Sequence, residues 1–123
     1  MYRVTQEGWI SSSHQTVRAD GSLEPIHGHN WRIQVTAEAA ELDDRGMVLD
    51  LDELRRALDE LLDGLDHVHL NDLPAFADAP VSAEAIARYV GKSLGAQLDD
   101  TRRRVVEVKV WMTDARCASW IAG

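Results

Sequence analysis

His27-Gly28-His29-Asn30-Trp31-Arg32-Ile33-Gln34-Val35-Thr36-Ala37-Glu38 alternates along its length. Trp31, Ile33, Val35 and Ala37 fall on one side; Arg32, Gln34, Thr36 and Glu38 fall on the other. A period of two predicts a β-strand, here from about His27 to Ala40. Carried back to His27, the strand projects both imidazoles from one face, roughly 7 Å apart at the backbone, with Gly28 on the other. Two neutral imidazoles on one face suit a divalent metal, and His14, thirteen residues before His27, is the candidate third ligand. Three protein ligands leave a coordination position open, as catalytic zinc sites do and structural ones avoid. Surface strands also carry His-x-His pairs by chance, so the pair alone leaves both readings open.

Working outward, Tyr2 to Ser13 reads as a strand ending in Ser11-Ser12-Ser13-His14, and Ala19-Asp20-Gly21-Ser22 is a turn signal. These two strands are expected to pair antiparallel. Asp43-Asp44-Arg45-Gly46 is the next turn, and Met47-Val48-Leu49 is a short apolar lead-in. From Leu51 the period changes: Leu51, Leu54, Leu58, Leu61, Leu62 and Leu65 fall at helical spacing, with Asp50 or Asp52 as N-cap and a stop near Gly64. A second helix is predicted over Ala83 to Leu98, capped by Ser82, with Ile86, Val90, Leu94 and Leu98 in one stripe. Period two then returns, with Val106, Val108, Val110 and Met112 on one face and Val105, Glu107, Lys109 and Trp111 on the other. Cys117 to Ile121 reads as a final strand. The order predicts an α+β fold, a four-stranded antiparallel sheet with two helices on one face. Its open edges would be removed by closure with further copies into a barrel, so a homo-oligomer is expected.

A chain of 123 residues is expected to form one domain over residues 1–123. No apolar run approaches membrane-spanning length and the N-terminus lacks a signal peptide's apolar stretch, so no membrane partner is expected. The single cysteine, Cys117, has no partner for an internal disulfide, and a reducing cytoplasm is the default compartment. Thirteen basic against 21 acidic residues leave a net charge of −8, which argues against nucleic acid. Arg102-Arg103-Arg104 reads as a solvated turn. A small anionic substrate held by a local site remains compatible with this charge.

Several further residues carry chemistry. Asp66 beside His67 either orients that histidine as a proton relay or merely caps the helix end. His69 makes a second His-x-His but reads as an exposed loop residue. Glu24, three residues before His27, is a solvated loop carboxylate, a metal ligand or a general base; its ordinary pKa of about 4.3 keeps it ionised at neutral pH. Cys117 reads as a small core residue rather than a nucleophile.

Together these stretches resemble the 6-pyruvoyltetrahydropterin synthase and 6-carboxytetrahydropterin synthase family. The matching segments are Ser11-Ser12-Ser13-His14, His27-Gly28-His29-Asn30-Trp31, Gly46-Met47-Val48-Leu49-Asp50, Leu65-Asp66-His67-Val68-His69-Leu70-Asn71 and Ser82-Ala83-Glu84, in family order. The resemblance implies a tunnelling fold (T-fold), in which subunits join sheets into a trimeric barrel, trimers stack into hexamers, and sites lie between subunits. It implies that His14, His27 and His29 bind Zn2+, and that Asp66 and His67 belong to a proton-transferring triad. The family's usual substrate is 7,8-dihydroneopterin triphosphate.

Two departures shape the expected function. The third triad member is normally a cysteine shortly before His-Gly-His, whereas Gly21-Ser22-Leu23-Glu24-Pro25-Ile26 has none. Glu24 fits the Glu-x-x-His-Gly-His pattern of a branch that cleaves the side chain in an aldolase-like step to 6-hydroxymethyl-7,8-dihydropterin. Exchanging a thiol of pKa about 8.5 for a carboxylate of about 4.3 changes which proton is efficiently removed. The second departure is Met112, which stands where the family's Val-x-Val-Tyr-Glu-Thr strand carries a pterin-holding glutamate. Hydrogen bonds to charged groups are each worth roughly 1.5–3 kcal/mol, so losing an acceptor for two donors weakens pterin recognition. Asp114 lies about 7 Å further along and replaces it only if the strand bulges or ends there. The expected protein is a zinc-dependent carbon–carbon or carbon–oxygen lyase acting on the hydroxylated side chain of a diverged, non-pterin small molecule. In it Glu24 takes a hydroxyl proton, Asp66-His67 returns one to carbon, and Met112, Thr113 and Asp114 line the substrate site. The alternatives are the pterin-cleaving enzyme itself and a non-catalytic metal-binding oligomer.

Overall fold

The alternation around His27 becomes a 13-residue strand, His27–Ala39, paired antiparallel and without interruption to Tyr2–His14. The structure, a computed structural model, describes residues 1–123. Its strands are β1 (Tyr2–His14), β2 (His27–Ala39), β3 (Arg103–Thr113) and β4 (Arg116–Ile121), in one antiparallel sheet of order β1-β2-β3-β4. Helices α1 (Leu51–Asp63) and α2 (Ala83–Leu98) lie between β2 and β3 in the chain. The expected α+β architecture is therefore the observed one. Of the two candidate caps for α1, Asp50 serves: its side chain accepts from the Asp52 N–H. Ser82 caps α2 by accepting from the Ala85 N–H. Each carboxylate or hydroxyl satisfies a backbone donor that the first helical turn leaves unpaired.

Both helices bury their apolar stripes against the same face of the sheet. Leu54, Leu58 and Leu62 of α1 and Ile86, Val90 and Leu94 of α2 join Ile10, Trp31, Ile33, Val35, Val108 and Val110 in one core. The period-two reading of β3 needs one correction. Thr36 pairs with Glu107 but Ala37 pairs with Val105, so Val106 is left as a bulge. An extra residue on one strand reverses the side-chain phase beyond it. Val105, expected on the outer face, therefore joins the core with Val108 and Val110. A second irregularity falls at Met112, between the pairs Trp111↔Cys117 and Thr113↔Arg116.

Leu65–Asn71 docks on the edge of β1. Leu65 and Leu70 are buried. Between them the His67 N–H donates to the Ser11 carbonyl at 2.7 Å and the Ser13 N–H to the Val68 carbonyl at 3.1 Å. Asn71 brackets Gln15, accepting from its N–H at 2.9 Å and donating to its carbonyl at 3.1 Å. His69 is accordingly half-buried rather than exposed, with Nδ1 2.8 Å from the Ser13 hydroxyl. This segment covers the C-terminal part of the β1 edge. The edge before it and the outer edge of β4 carry Tyr2, Trp9 and Ile121, all exposed.

Helix α2 passes close over β4, because a Cβ placed on Gly91 would run into the ring of Trp120. At Gly8 the obstacle is the Leu62 side-chain tip at 2.6 Å, which can rotate away. Overpacking costs about 1–3 kcal/mol. Gly91→Ala is therefore expected to lower the thermal midpoint by about 5–10 °C. Gly8→Ala should cost clearly less, and equal losses in paired melting curves would show that the ring gives way.

Candidate metal centre and its cavity

The last rungs of the β1–β2 ladder are His14↔His27 and Ser12↔His29, so all three imidazoles leave the helix-covered face. Each offers a ligand nitrogen within 4.8 Å of the others. His14 Nδ1 lies 2.6 Å from the Val81 carbonyl and His27 Nδ1 lies 3.0 Å from the Pro25 carbonyl. A carbonyl accepts, so both Nδ1 atoms carry the proton and both Nε2 atoms present lone pairs. Those two Nε2 atoms are 3.0 Å apart. Two facing lone pairs need a cation or a proton between them, and tetrahedral Zn–N bonds would set such atoms about 3.3 Å apart. His29 is held below the ordinary histidine pKa by burial and then by its His14 and His27 neighbours. It is therefore a neutral donor at physiological pH. Trp31 walls the cluster edge-on, 4.8 Å from both His14 and His29, and its indole N–H donates to the Ser12 carbonyl at 3.1 Å. Three clustered imidazoles, two of them with tautomers fixed by backbone carbonyls, fit a borderline divalent ion.

The triad opens into a cavity of about 310 Å³ that also takes in Glu24, Glu84, Met112, Thr113 and Arg116. Glu24 is held there by the loop: its Oε1 accepts from the Thr16 N–H at 2.9 Å and stands 3.7 Å from His27 Nδ1. The Thr16 hydrogen bond is the main cause of a lowered Glu24 pKa, with burial opposing it. The carboxylate is ionised at neutral pH but is correspondingly a weaker base. Met112 packs half-buried against the core at its bulge, and Thr113 is exposed at the strand end. Asp114 sits on the following turn, exposed, and does not line the cavity. Sequence reasoning quoted Glu84 only as part of a motif and passed over Arg116. The Ser82 cap was the available signal for Glu84, since it starts α2 at the cavity's edge. Arg116 had none, because its position follows from the Met112 bulge.

Asp66 and His67 form a separate unit. Asp66 Oδ1 accepts from the Ser11 N–H at 2.7 Å and Oδ2 lies 2.9 Å from His67 Nδ1. The Ser11 N–H is the largest cause of a lowered Asp66 pKa, with His67 adding to it against burial. His67 has φ of 55°, a left-handed backbone that costs a non-glycine residue about 1–2 kcal/mol, and its ring is mostly exposed. It faces a second cavity of about 570 Å³ lined by Ser11, Ser13, Gly28, Asn30 and His69 among others. The two cavities share His29 alone. Within one chain the structure thus groups His14, His27, His29, Glu24, Met112 and Thr113, and sets Asp66 and His67 apart.

Comparison with known proteins agrees with this geometry. Residues 3–121 match the family model described as 6-pyruvoyl tetrahydropterin synthase. The 6-pyruvoyl tetrahydrobiopterin synthase of Dictyostelium discoideum is 30% identical over 123 residues, covering 90% of this chain and 89% of that one. The human protein of the same name is 34% identical over 90 residues, 72% of this chain and 61% of its own length. A structure of Plasmodium vivax 6-pyruvoyltetrahydropterin synthase, with a catalytic glutamate replaced by cysteine, has a TM-score of 0.78 at 19% identity. It covers 97% of this chain and 96% of that one, and shares the fold. The match over nearly the whole chain places this protein in the 6-pyruvoyl tetrahydropterin synthase family.

Proposed function

We propose that this protein is a zinc-dependent lyase acting on the hydroxylated side chain of a small molecule. The observation that carries this reading is one cavity holding three clustered imidazoles beside the ionised carboxylate of Glu24. Zinc, when bound there, would acidify hydroxyl groups presented to it. That matters for Glu24, because a carboxylate of lowered pKa is competent only toward a proton already made acidic. Glu24 takes the proton of a side-chain hydroxyl, the carbon bearing it becomes a carbonyl, and the adjacent carbon–carbon bond breaks. The electron pair stays on the departing carbon, which His67, oriented by Asp66, protonates. A glutamate is also the catalytic residue replaced in the Plasmodium vivax protein.

Since Asp66-His67 opens away from Glu24 in its own chain, the dyad serving each cavity comes from a neighbouring copy. The uncovered edges of β1 and β4 provide the means, joining sheets into a closed trimeric barrel. Met112 presents a thioether where a pterin's amino and ring N–H groups would need a charged acceptor, which favours a non-pterin substrate. One observation favours the second reading, cleavage of 7,8-dihydroneopterin triphosphate to 6-hydroxymethyl-7,8-dihydropterin: Glu84 places a carboxylate in the same cavity.

Incubating the zinc-loaded protein with 7,8-dihydroneopterin triphosphate, with mass spectrometry of the products, separates these readings. No turnover is expected; release of 6-hydroxymethyl-7,8-dihydropterin would establish the pterin enzyme. Glu24→Ala is expected to cut turnover of the working substrate about 10²–10⁴-fold while leaving zinc content unchanged. Loss of zinc instead would make Glu24 a ligand. Mixing Glu24→Ala with His67→Ala subunits after dissociation is expected to restore up to about a quarter of wild-type activity, since a site between copies can then collect both intact residues. No recovery, with mixed oligomers verified, would place both groups in one chain's site.

A further inference from the structure

Arg116 begins β4 directly after the Met112 bulge and pairs in register with Thr113. Most arginines of this chain are engaged internally. Arg3 is paired with Glu38, Arg45 with Asp50 and Arg103 with Glu53, while Arg102 spans the carbonyls of Glu41, Met47 and Val48. Arg32 lies over the Trp111 ring at 4.6 Å. Arg116 makes no such contact; it is exposed, and it lines the cavity of the histidine triad. Neither carboxylate of that cavity neutralises it, because Glu24 is committed to Thr16 and faces His27, and Glu84 forms no ion pair.

We propose that Arg116 is a specificity residue, binding a carboxylate or phosphate group of an anionic substrate that occupies the metal cavity. The proposal rests on the metal-dependent lyase reading and names the substrate class of the same site. A guanidinium offers N–H donors in a planar fork, accepts nothing and stays charged at any working pH. Its natural partner is therefore an oxyanion, held through two parallel hydrogen bonds. Where this wall of the cavity meets a ligand, it offers the thioether of Met112, the hydroxyl of Thr113 and the fork of Arg116, and no anionic acceptor. A substrate group seated there must supply the acceptors itself. The charge balance points the same way. Glu24, Glu84 and Arg116 sum to −1, and a divalent ion in the triad raises this to +1, so an anion is favoured when the metal is in place.

The test titrates malonate and tripolyphosphate separately into zinc-loaded wild-type protein, Arg116→Gln and Arg116→Lys, by calorimetry. Zinc content and circular dichroism are measured on each sample. Arg116→Gln is expected to weaken at least one probe by about tenfold or more with zinc content and fold unchanged. Arg116→Lys should fall between, keeping the charge without the fork. The probe that loses affinity identifies carboxylate or phosphate as the group recognised. Equal affinity of wild type and Arg116→Gln for both probes, or no binding of either by wild type, overturns the proposal. If zinc is retained in that case, the metal reading survives it. If instead the protein holds no zinc but Arg116 still governs anion affinity, the metal reading fails and the anion site stands.

Discussion

Everything at the site depends on the register of β1 against β2. His14 and His27 are the last pair of that ladder, and the triad exists because even positions of β1 and odd positions of β2 share a face. A slip by one residue would turn one strand's side chains over and remove His14 from the cluster. Two independent sets of contacts resist the slip. On the helix side Ile10, Trp31, Ile33 and Val35 are fully buried. On the open side, cross-strand pairs match polar with polar and charge with opposite charge: Thr5 with Thr36 at 3.1 Å, the Ser11 hydroxyl donating to the Asn30 amide oxygen at 2.7 Å, Arg3 with Glu38 at 3.0 Å. The indole of Trp31 ties across to the Ser12 carbonyl, one residue from where the imidazoles begin. The core and the candidate metal centre are thus parts of one ladder, and a metal seated on its end would reinforce the register that forms it.

The same logic explains what could be read from the amino-acid order. Period-two and period-3.6 stretches are local signals, so strands, helices and the Ser82 cap were legible, as was the shared face of His27 and His29. The features that escaped are set by distant partners. Val105 and Val106 are both β-branched and apolar, and nothing between them marks which one bulges; the choice is made by how Ala37 and Thr36 meet β3. Leu65–Asn71 shows no strand period, because it borrows its backbone partners from β1 some 55 residues earlier. His69 therefore looked like a loop histidine, although Ser13 engages it. The placement of Asp114 and that of Arg116 have one cause. The Met112 bulge and the tight turn after it leave Asp114 at the tip and return Arg116 to the cavity wall.

Placing the triad and the Asp66-His67 dyad on opposite sides of the sheet end has a structural cause. The segment after α1 docks on the β1 edge through a few backbone hydrogen bonds, in an irregular conformation. Asp66 turns its carboxylate back to the Ser11 N–H, and His67 is thrown outward by its left-handed backbone. Asp66 orients the His67 ring through one contact at 2.9 Å, and the ring projects from its own chain, mostly solvent-exposed. As the proposed proton donor, such a dyad would serve a neighbour, and the free edges of β1 and β4 are where a neighbour would attach. In the proposed reading, assembly and catalysis are therefore a single requirement.

Electrostatics then decides what such a cavity can hold. Without a metal, two carboxylates face one guanidinium, and the lowered pKa of Glu24 keeps it charged well into the acid range. That arrangement repels anions and makes Glu24 a poor base. In the proposed reading a divalent ion held by the three histidines would reduce the repulsion felt by an incoming oxyanion and would acidify a hydroxyl enough for a weak base. Glu24 does not have to become a stronger base for the chemistry to run. In the proposed reading its hydrogen bond to Thr16 would instead confine proton transfer to substrates that the metal has engaged. On this account, exchanging a thiol for a carboxylate ahead of His27 couples proton removal to metal binding more tightly than a thiolate of higher pKa would.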